Sequence, residues 1–378
     1  MSTHAAVVTT SVRGPLEILQ LPTVTPAADE VRVKVEWVAS TPLDLHQNDG
    51  GLLVTHPQVL GDAVAGTVEE VGSEVKNLVV GDKVCIYIVE LVVLDGSLIV
   101  FGFMFREQKE KAEQEYVTVS WYMLGKIPAG VSMQHAVTLP TNLVTVFHTL
   151  TADLGLELPW PRPSEPEPKH GNDPILVWGG SSSVGQYAIQ VLRHWGYKNI
   201  ITTSSKAHHS FLKELGASHT LDYRDSAVIE NIIGASSKGG QPSIPFIFDC
   251  IGSQHGSLAP IAKVAQKGTK VAILLPVIVK DATDDEAPQY SMDVNSAAPW
   301  AEGVEARGVR THFYLQNEFF KNKLQSEIMP TLLADGAVRP NNYRVIEGKT
   351  LLERAQRALD TLRRKEVSGE RLVWRVSE

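Results

Sequence analysis

Over roughly the first third of the chain, short strand-like runs at residues 5–8, 31–35 and 65–71, mostly alternating apolar and polar with a period of two, are separated by turn-forming residues. A strand sends successive side chains to opposite faces, so this pattern predicts a β-rich first region. From Pro174 the pattern changes. A continuous apolar run at 175–178 and strand-like segments at 200–203 and 220–223 alternate with helical spacing over 184–195 and with a helix that Gly216 stops after Leu215. That succession reads β-α-β-α-β, and further strands at 246–249, 271–275 and 309–314 complete the expectation of a doubly wound parallel sheet. Near the end, Leu351, Leu352, Ala355, Leu359 and Leu362 mark the apolar face of a helix expected to pack on the first region.

Two segments break the pattern. Residues 159–169 hold five prolines among charges, which cannot donate a strand ladder and predict a solvated connector. Residues 281–299 are acidic, with Pro and Ser, and read as a mobile loop over a site. Gly81-Asp82 predicts a tight turn. The longest apolar run, 84–105, carries Glu90 and Asp95 near its middle, a cost that argues against a membrane span.

With 378 residues the chain is too long for one core, and two domains are expected, one from 1–142 with 316–378 and one from 143–315. The net charge of -8 comes without any basic stripe interleaved with aromatics, so nucleic acid is not an expected partner. Two cysteines, Cys85 and Cys250, cannot make a four-thiolate metal site and suit a reducing cytosol. The first ten residues lack the basic start and apolar stretch of an export signal, so a cytoplasmic protein is expected.

The chemistry concentrates at Gly179-Gly180-Ser181-Ser182-Ser183-Val184-Gly185, between a predicted strand and a predicted helix. Such a turn offers backbone N–H groups and a helix N-terminus to a pyrophosphate. Gly180 and Gly185 take the outer positions of a dinucleotide fingerprint, while Ser182 stands in the middle one. After the second strand no acidic residue awaits a ribose 2′-hydroxyl. Instead Ser204, Ser205, Lys206 and His208 supply hydroxyls, an ammonium and an imidazole, donors suited to a 2′-phosphate, so NADPH is expected over NADH. Tyr223, ending the third strand, is placed to cover the adenine or to donate to that phosphate.

These motifs, with Gly61-Asp62-Ala63-Val64-Ala65-Gly66, Val80-Gly81-Asp82-Lys83-Val84 and Ser368-Gly369-Glu370-Arg371-Leu372-Val373, resemble the medium-chain dehydrogenase/reductase superfamily. The likeness is narrower to its zinc-free quinone oxidoreductases and fungal stand-alone trans-enoyl reductases. It implies an α/β fold with a GroES-like β-rich domain and a Rossmann domain. Where zinc members carry Cys, His and Glu ligands, this chain reads Thr41-Pro42-Leu43-Asp44, Gly61-Asp62-Ala63 and Pro140-Thr141-Asn142, a set unable to hold zinc. The resemblance further implies that His46 and Thr145 lie by the nicotinamide and substrate, His46 standing where a lysine is common. Ile273, Leu274, Leu275, Val367 and Ser368 match its backbone contacts to the nicotinamide end.

The expected activity is NADPH-dependent reduction of an activated C=C bond in an enoyl thioester, enone or quinone, the substrate small or carried by a polyketide synthase. The other class left open is an NADPH-binding structural or regulatory protein with little turnover. A monomer or homodimer is expected. The sixteen residues 85–100 have no counterpart in the fungal pattern, where the Gly-Asp-x-Val motif runs directly into a strand like Phe101-Gly102-Phe103. They read either as a retained intron in a gene product or as a genuine hairpin turning at Asp95-Gly96.

Overall fold

The computed structural model describes residues 2–78, 80, 99–103, 105–236 and 243–377. The predicted turn at Gly81-Asp82 lies outside them, as does the insert 85–100 apart from Ile99 and Val100, which open a strand.

The alternation in the first region becomes a sheet of seven strands among the described residues. Its path runs Asn342–Val345, Glu370–Arg375, Glu30–Ser40, Ala63–Val71, Ile99–Phe103 and Leu124–Lys126, with Tyr116–Ser120 also paired to Glu30–Ser40. Val31, Val33 and Val35 are all fully buried, as expected of every second residue on a covered face. They share a core with Leu372, Trp374, Ala355 and Leu359. The last two come from the amphipathic helix Leu351–Arg363, so this helix packs where its periodicity placed it.

The second sheet has six parallel strands in the order His219–Asp222, Ile200–Ser204, Ile175–Trp178, Phe246–Asp249, Lys270–Leu274 and Glu305–Val309. Strand order reverses between Ile175–Trp178 and Phe246–Asp249. At such a switch point helices leave on opposite faces and a crevice opens at the carboxyl ends. A hydrophobic cluster runs from Ala63 and Phe103 of the first sheet through Val144 and Phe147 to Tyr187 and Trp195 of the second, so the two sheets share one continuous core.

One expectation needs correction. The last parallel strand is Glu305–Val309, and residues 311–314 turn instead into the 3-10 helix Thr311–Gln316. Tyr314 decides this: it is buried, its hydroxyl accepts from Gln325 Nε2 at 2.7 Å, and its ring meets Phe105 edge-on. The segment 281–299, expected as a mobile loop over a site, contains one short strand. Gln289–Ser291 pairs antiparallel with Val277–Lys280, and the resulting hairpin reaches across to the first domain.

Candidate functional site

The Ile175–Trp178 strand ends in Gly179, which turns the chain at φ 84°, in the left-handed region. Any side chain on Gly180 would run into Thr202 Oγ1, and one on Gly185 would meet the Gly179 carbonyl. Both glycines are therefore required for the helix Ser183–His194 to start this close to the strand. Ser182 caps that helix by accepting from the Gly185 N–H at 3.1 Å. Its hydroxyl is thereby occupied, which answers why serine serves at the middle position of the fingerprint. The amides of Ser183 and Val184 have no acceptor among the described residues, and they stand at the positive end of a twelve-residue helix. Val184 is buried, while Ser181 and Ser183 are half-buried at the crevice.

A polar network joins this loop to the first domain. Asn142 Nδ2 donates to Ser183 Oγ at 2.7 Å, and Ser183 Oγ donates to Asn341 Oδ1. Asn341 Nδ2 in turn donates to Gln186 Oε1 at 2.8 Å, and Gln186 Nε2 donates to the carbonyls of Ser181 and Gly369 at 2.9 and 3.2 Å. Of these, Asn341 and Gln186 were not singled out from sequence; scattered amides carry no periodic signal.

At the end of Ile200–Ser204, Ser204 is buried with its hydroxyl on the Ser205 carbonyl at 3.0 Å. Ser205 precedes a 3-10 turn, Lys206 is exposed, and His208 Nε2 lies 2.9 Å from Ser368 Oγ. His208 and Ser368 are thus brought together from opposite domains. Tyr223 is half exposed, with the Arg224 guanidinium 5.5 Å from its ring centroid. Arg224, missed in the sequence, holds both oxygens of Asp222 at 3.0 and 3.1 Å, which depresses the Asp222 carboxyl to about 2. Ile273 is fully buried in the sheet, Leu274 and Leu275 are half-buried at its carboxyl edge, and Val367 is half-buried beside exposed Ser368.

In the first domain, the helix Pro42–Gly50 carries His46, which is half-buried. Its Nδ1 lies 2.7 Å from Tyr290 Oη, and burial lowers the imidazole to about 4 against the opposing pull of Asp281 and Asp49. His46 is therefore neutral at pH 7. Thr145 is not joined to it. Its hydroxyl donates to the Thr141 carbonyl at 2.7 Å and lies 3.0 Å from Thr311 Oγ1, the back-bonding of a buried mid-helix threonine.

In the stretches aligned with zinc ligands both oxygens of Asp44 and one of Asp62 are already in use, while Thr41 Oγ1 and Asp62 Oδ2 are buried with no hydrogen-bond partner among the described residues. Asp44 accepts from the amides of Thr41 and Gly61 at 2.8 and 3.2 Å, and Asp62 from Thr141 Oγ1 at 3.0 Å. Burial and the neighbouring Asp62 push Asp44 up to about 7, while burial raises Asp62 against the pull of Arg371. The described residues contain no group of three or more His, Cys, Asp or Glu placed to hold a metal ion. No helix among them is long and apolar enough to cross a membrane. A cavity of about 460 Å³ lined by His148, Tyr314 and Phe320 includes none of the residues singled out for cofactor or substrate.

Comparison with known proteins agrees with this architecture. The model of the alcohol dehydrogenase GroES-like domain matches residues 27–145, and that of the zinc-binding dehydrogenase domain matches residues 183–302. A trans-enoyl reductase of Aspergillus japonicus is 29% identical over 350 residues, covering 92% of this chain and 90% of that protein. A dehydrogenase of Monascus ruber is 35% identical over 242 residues, which is 62% of either chain. The solved quinone oxidoreductase from Coxiella burnetii shares the fold, with a TM-score of 0.71 at 20% identity over 100% of both chains. With a GroES-like domain, a Rossmann sheet and these relatives, the chain belongs to the medium-chain dehydrogenase/reductase superfamily, as an oxidoreductase of the enoyl and quinone reductase type with a nicotinamide-binding fold.

Proposed function

We propose that the chain is a zinc-free, NADPH-dependent reductase of activated C=C bonds. Its substrate is an enoyl thioester, free or on a polyketide synthase of fungal secondary metabolism, with an enone or quinone as the simpler acceptors. The observation that carries this reading is the pair of free amides at Ser183 and Val184, sited at the switch point one strand away from a carboxylate-free Ser204–His208 turn. The same reading makes it a cytoplasmic monomer or homodimer.

The cradle fits a dinucleotide. Gly179, Gly180 and Gly185 leave the room that side chains would fill, and the Ser183 and Val184 amides would hold the pyrophosphate. Ser205, Lys206 and His208 would meet the 2′-phosphate, where Lys206 contributes a point charge and His208 is steadied by Ser368. Tyr223, backed by Arg224, would cover the adenine. The carbonyls and amides around Leu274, Leu275, Val367 and Ser368 would line the nicotinamide end.

When bound, the nicotinamide supplies the hydride. The protein's part is to orient the double bond and to meet negative charge developing on the carbonyl oxygen. Zinc would do this as a Lewis acid, but the groups in its place are hydroxyl and carboxylate oxygens of Thr41, Asp44, Asp62 and Thr141, with Asp44 bound to backbone amides and Thr141 to Asp62, where zinc takes Cys and His. The donor must therefore be organic. His46, neutral and half-buried, is the side chain offered for it, and Thr145 stands in the middle of the helix Pro140–His148.

The test is steady-state turnover of NADPH with crotonyl thioester, a simple enone and a benzoquinone. Oxidation with the thioester or enone supports the reading. NADPH binding without oxidation by any of the three overturns it in favour of a structural or regulatory protein.

A further inference from the structure

The hydrogen bond between His46 and Tyr290 joins residues 244 positions apart, one on the first helix of the GroES-like domain and one on the hairpin that leaves the Rossmann sheet. The contact is built from both sides. A side chain at Gly50 would penetrate the Tyr290 ring, so only glycine leaves the phenol its seat at the end of the His46 helix. The two rings meet edge to face with centroids 4.8 Å apart at 73°.

The hairpin is also tethered at separate points of the first domain. Arg13 Nη2 donates to the carbonyls of Thr283 and Asp284 at 3.3 and 2.9 Å. Arg364 pairs with Asp284 at 3.2 Å and Lys365 with Asp281 at 2.6 Å. Each exposed pair is weak on its own. Together they fix the direction from which Tyr290 approaches.

The chemistry of the pair sets its polarity. A phenol O–H is more acidic than the N–H of a neutral imidazole, so the phenol donates and Nδ1 accepts. A neutral ring that accepts at Nδ1 carries its proton on Nε2. That N–H has no acceptor among the described residues. The charged groups facing His46 are Asp49, held by Arg363 at 2.7 Å, and Asp281, held by Lys365, so neither carboxylate is without a cation.

We propose that Tyr290 is a positioning residue that locks His46 as the Nε2–H tautomer, turning a neutral imidazole into the hydrogen-bond donor for the substrate's carbonyl oxygen. The donor role rests on the reductase reading above; the tautomer does not. As hydride adds to the β-carbon, the C=C electron pair moves toward the carbonyl oxygen, the C–O bond takes on single-bond character, and the Nε2–H receives the charge. Water then protonates the α-carbon, so His46 ends the cycle with the proton it started with. The device also makes the donor conditional on domain position, since the residue that orients it belongs to the opposite domain.

The experiment uses the full-length protein labelled with 15N-histidine, without cofactor, near neutral pH. The His46 resonances are identified by their loss in His46→Gln. The wild type is expected to show an unprotonated Nδ1 and a protonated Nε2, and Tyr290→Phe is expected to show averaged tautomers. With crotonyl thioester and NADPH, Tyr290→Phe should lower kcat by about 10- to 100-fold with KM within about 2-fold, the scale of a misplaced oxyanion donor. A glutamine amide donates without a tautomer choice, so adding Tyr290→Phe to His46→Gln should cost no further kcat. That comparison also separates positioning from folding, because a structural defect would persist in the glutamine background. A protonated Nδ1 in the wild type, or a tautomer unchanged in Tyr290→Phe, overturns the proposal. The expected tautomer in a wild type that reduces no enoyl substrate overturns the reductase reading and the donor role with it.

Discussion

A Cβ on Gly185 would lie 2.7 Å from the Cα of Gly180 and nearer still to the Gly179 carbonyl, inside the 3.0 Å that real Cβ atoms keep. Neither neighbour can step aside, because both are backbone of the turn that builds the cofactor cradle. Gly185→Ala is therefore expected to destabilise the protein by about 1–3 kcal/mol and to abolish saturable NADPH binding. Gly234→Ala is the control: in the helix Val228–Ser236, with nothing within 4 Å of its Cβ, it should be neutral or stabilising by up to about 1 kcal/mol, binding unchanged. Thermal melts and a cofactor titration on both variants check this.

Lys206 is exposed at the turn after the second Rossmann strand, and its ammonium pulls Asp222 down from across the next strand. If it also meets the 2′-phosphate, Lys206→Ala should weaken NADPH by about 10- to 100-fold, the worth of one charge-assisted hydrogen bond, and leave NADH within about 2-fold. Equal losses for both cofactors would show that Lys206 does not read the phosphate. Dissociation constants for the two, measured at one salt concentration, decide it.

Gln325 is buried and serves two partners at once, accepting from the Phe103 amide and donating to Tyr314 Oη, each at 2.7 Å. Gln325→Leu leaves both groups buried and unpaired, at about 1–3 kcal/mol each. The expected loss is about 2–5 kcal/mol in urea unfolding. Adding Tyr314→Phe removes one of the two orphans and should recover part of it.

His148 Nε2 and Asp153 Oδ2 are 3.9 Å apart, yet they do not form an ion pair at neutral pH. Burial, and His312 after it, lower His148 from 6.5 to about 4, while burial raises Asp153 to about 6. The folded histidine binds fewer protons than the unfolded one between pH 6.5 and 4. Its contribution is thus complete above 6.5 and lost as pH falls toward 4, by up to about 3 kcal/mol. Asp153 works in the opposite sense over an overlapping range, gaining stability as pH falls from 6 toward the unfolded carboxylate value. His148→Gln should remove the histidine's share, so that stability falls less between pH 7 and 4 than in the wild type. Unfolding curves at several pH values would show it, and a variant with the wild-type slope would contradict it.

Where the sequence was legible, burial made it so. Buried parallel strands such as Ile175–Trp178 and Phe246–Asp249 read as unbroken apolar runs, and the Gly179–Gly185 turn is marked by residues that only its geometry requires. Residues 311–314 read as a strand because four residues cannot distinguish alternation from a helical turn. The contacts that decide, from Phe105 and Gln325, are non-local. The 289–291 strand was hidden for a similar reason, since three residues carry no period. His46 stood out in the sequence by its place after Pro42 and Asp44, whereas its partner Tyr290, distant in sequence within an acidic stretch, carried no signal. The Asn142, Ser183, Asn341 and Gln186 network was equally silent, because a buried amide and a surface amide look alike in one sequence.

The central claim is that hydride passes from NADPH to the β-carbon of an activated double bond. NADPH deuterated at C4, presented with crotonyl thioester and the purified protein, tests it by mass spectrometry and NMR of the product. The account requires butyryl thioester with deuterium from one C4 face only, placed at the β-carbon, and an α-hydrogen from solvent. Bound NADPH with unlabelled, unreduced thioester recovered after prolonged incubation would contradict it.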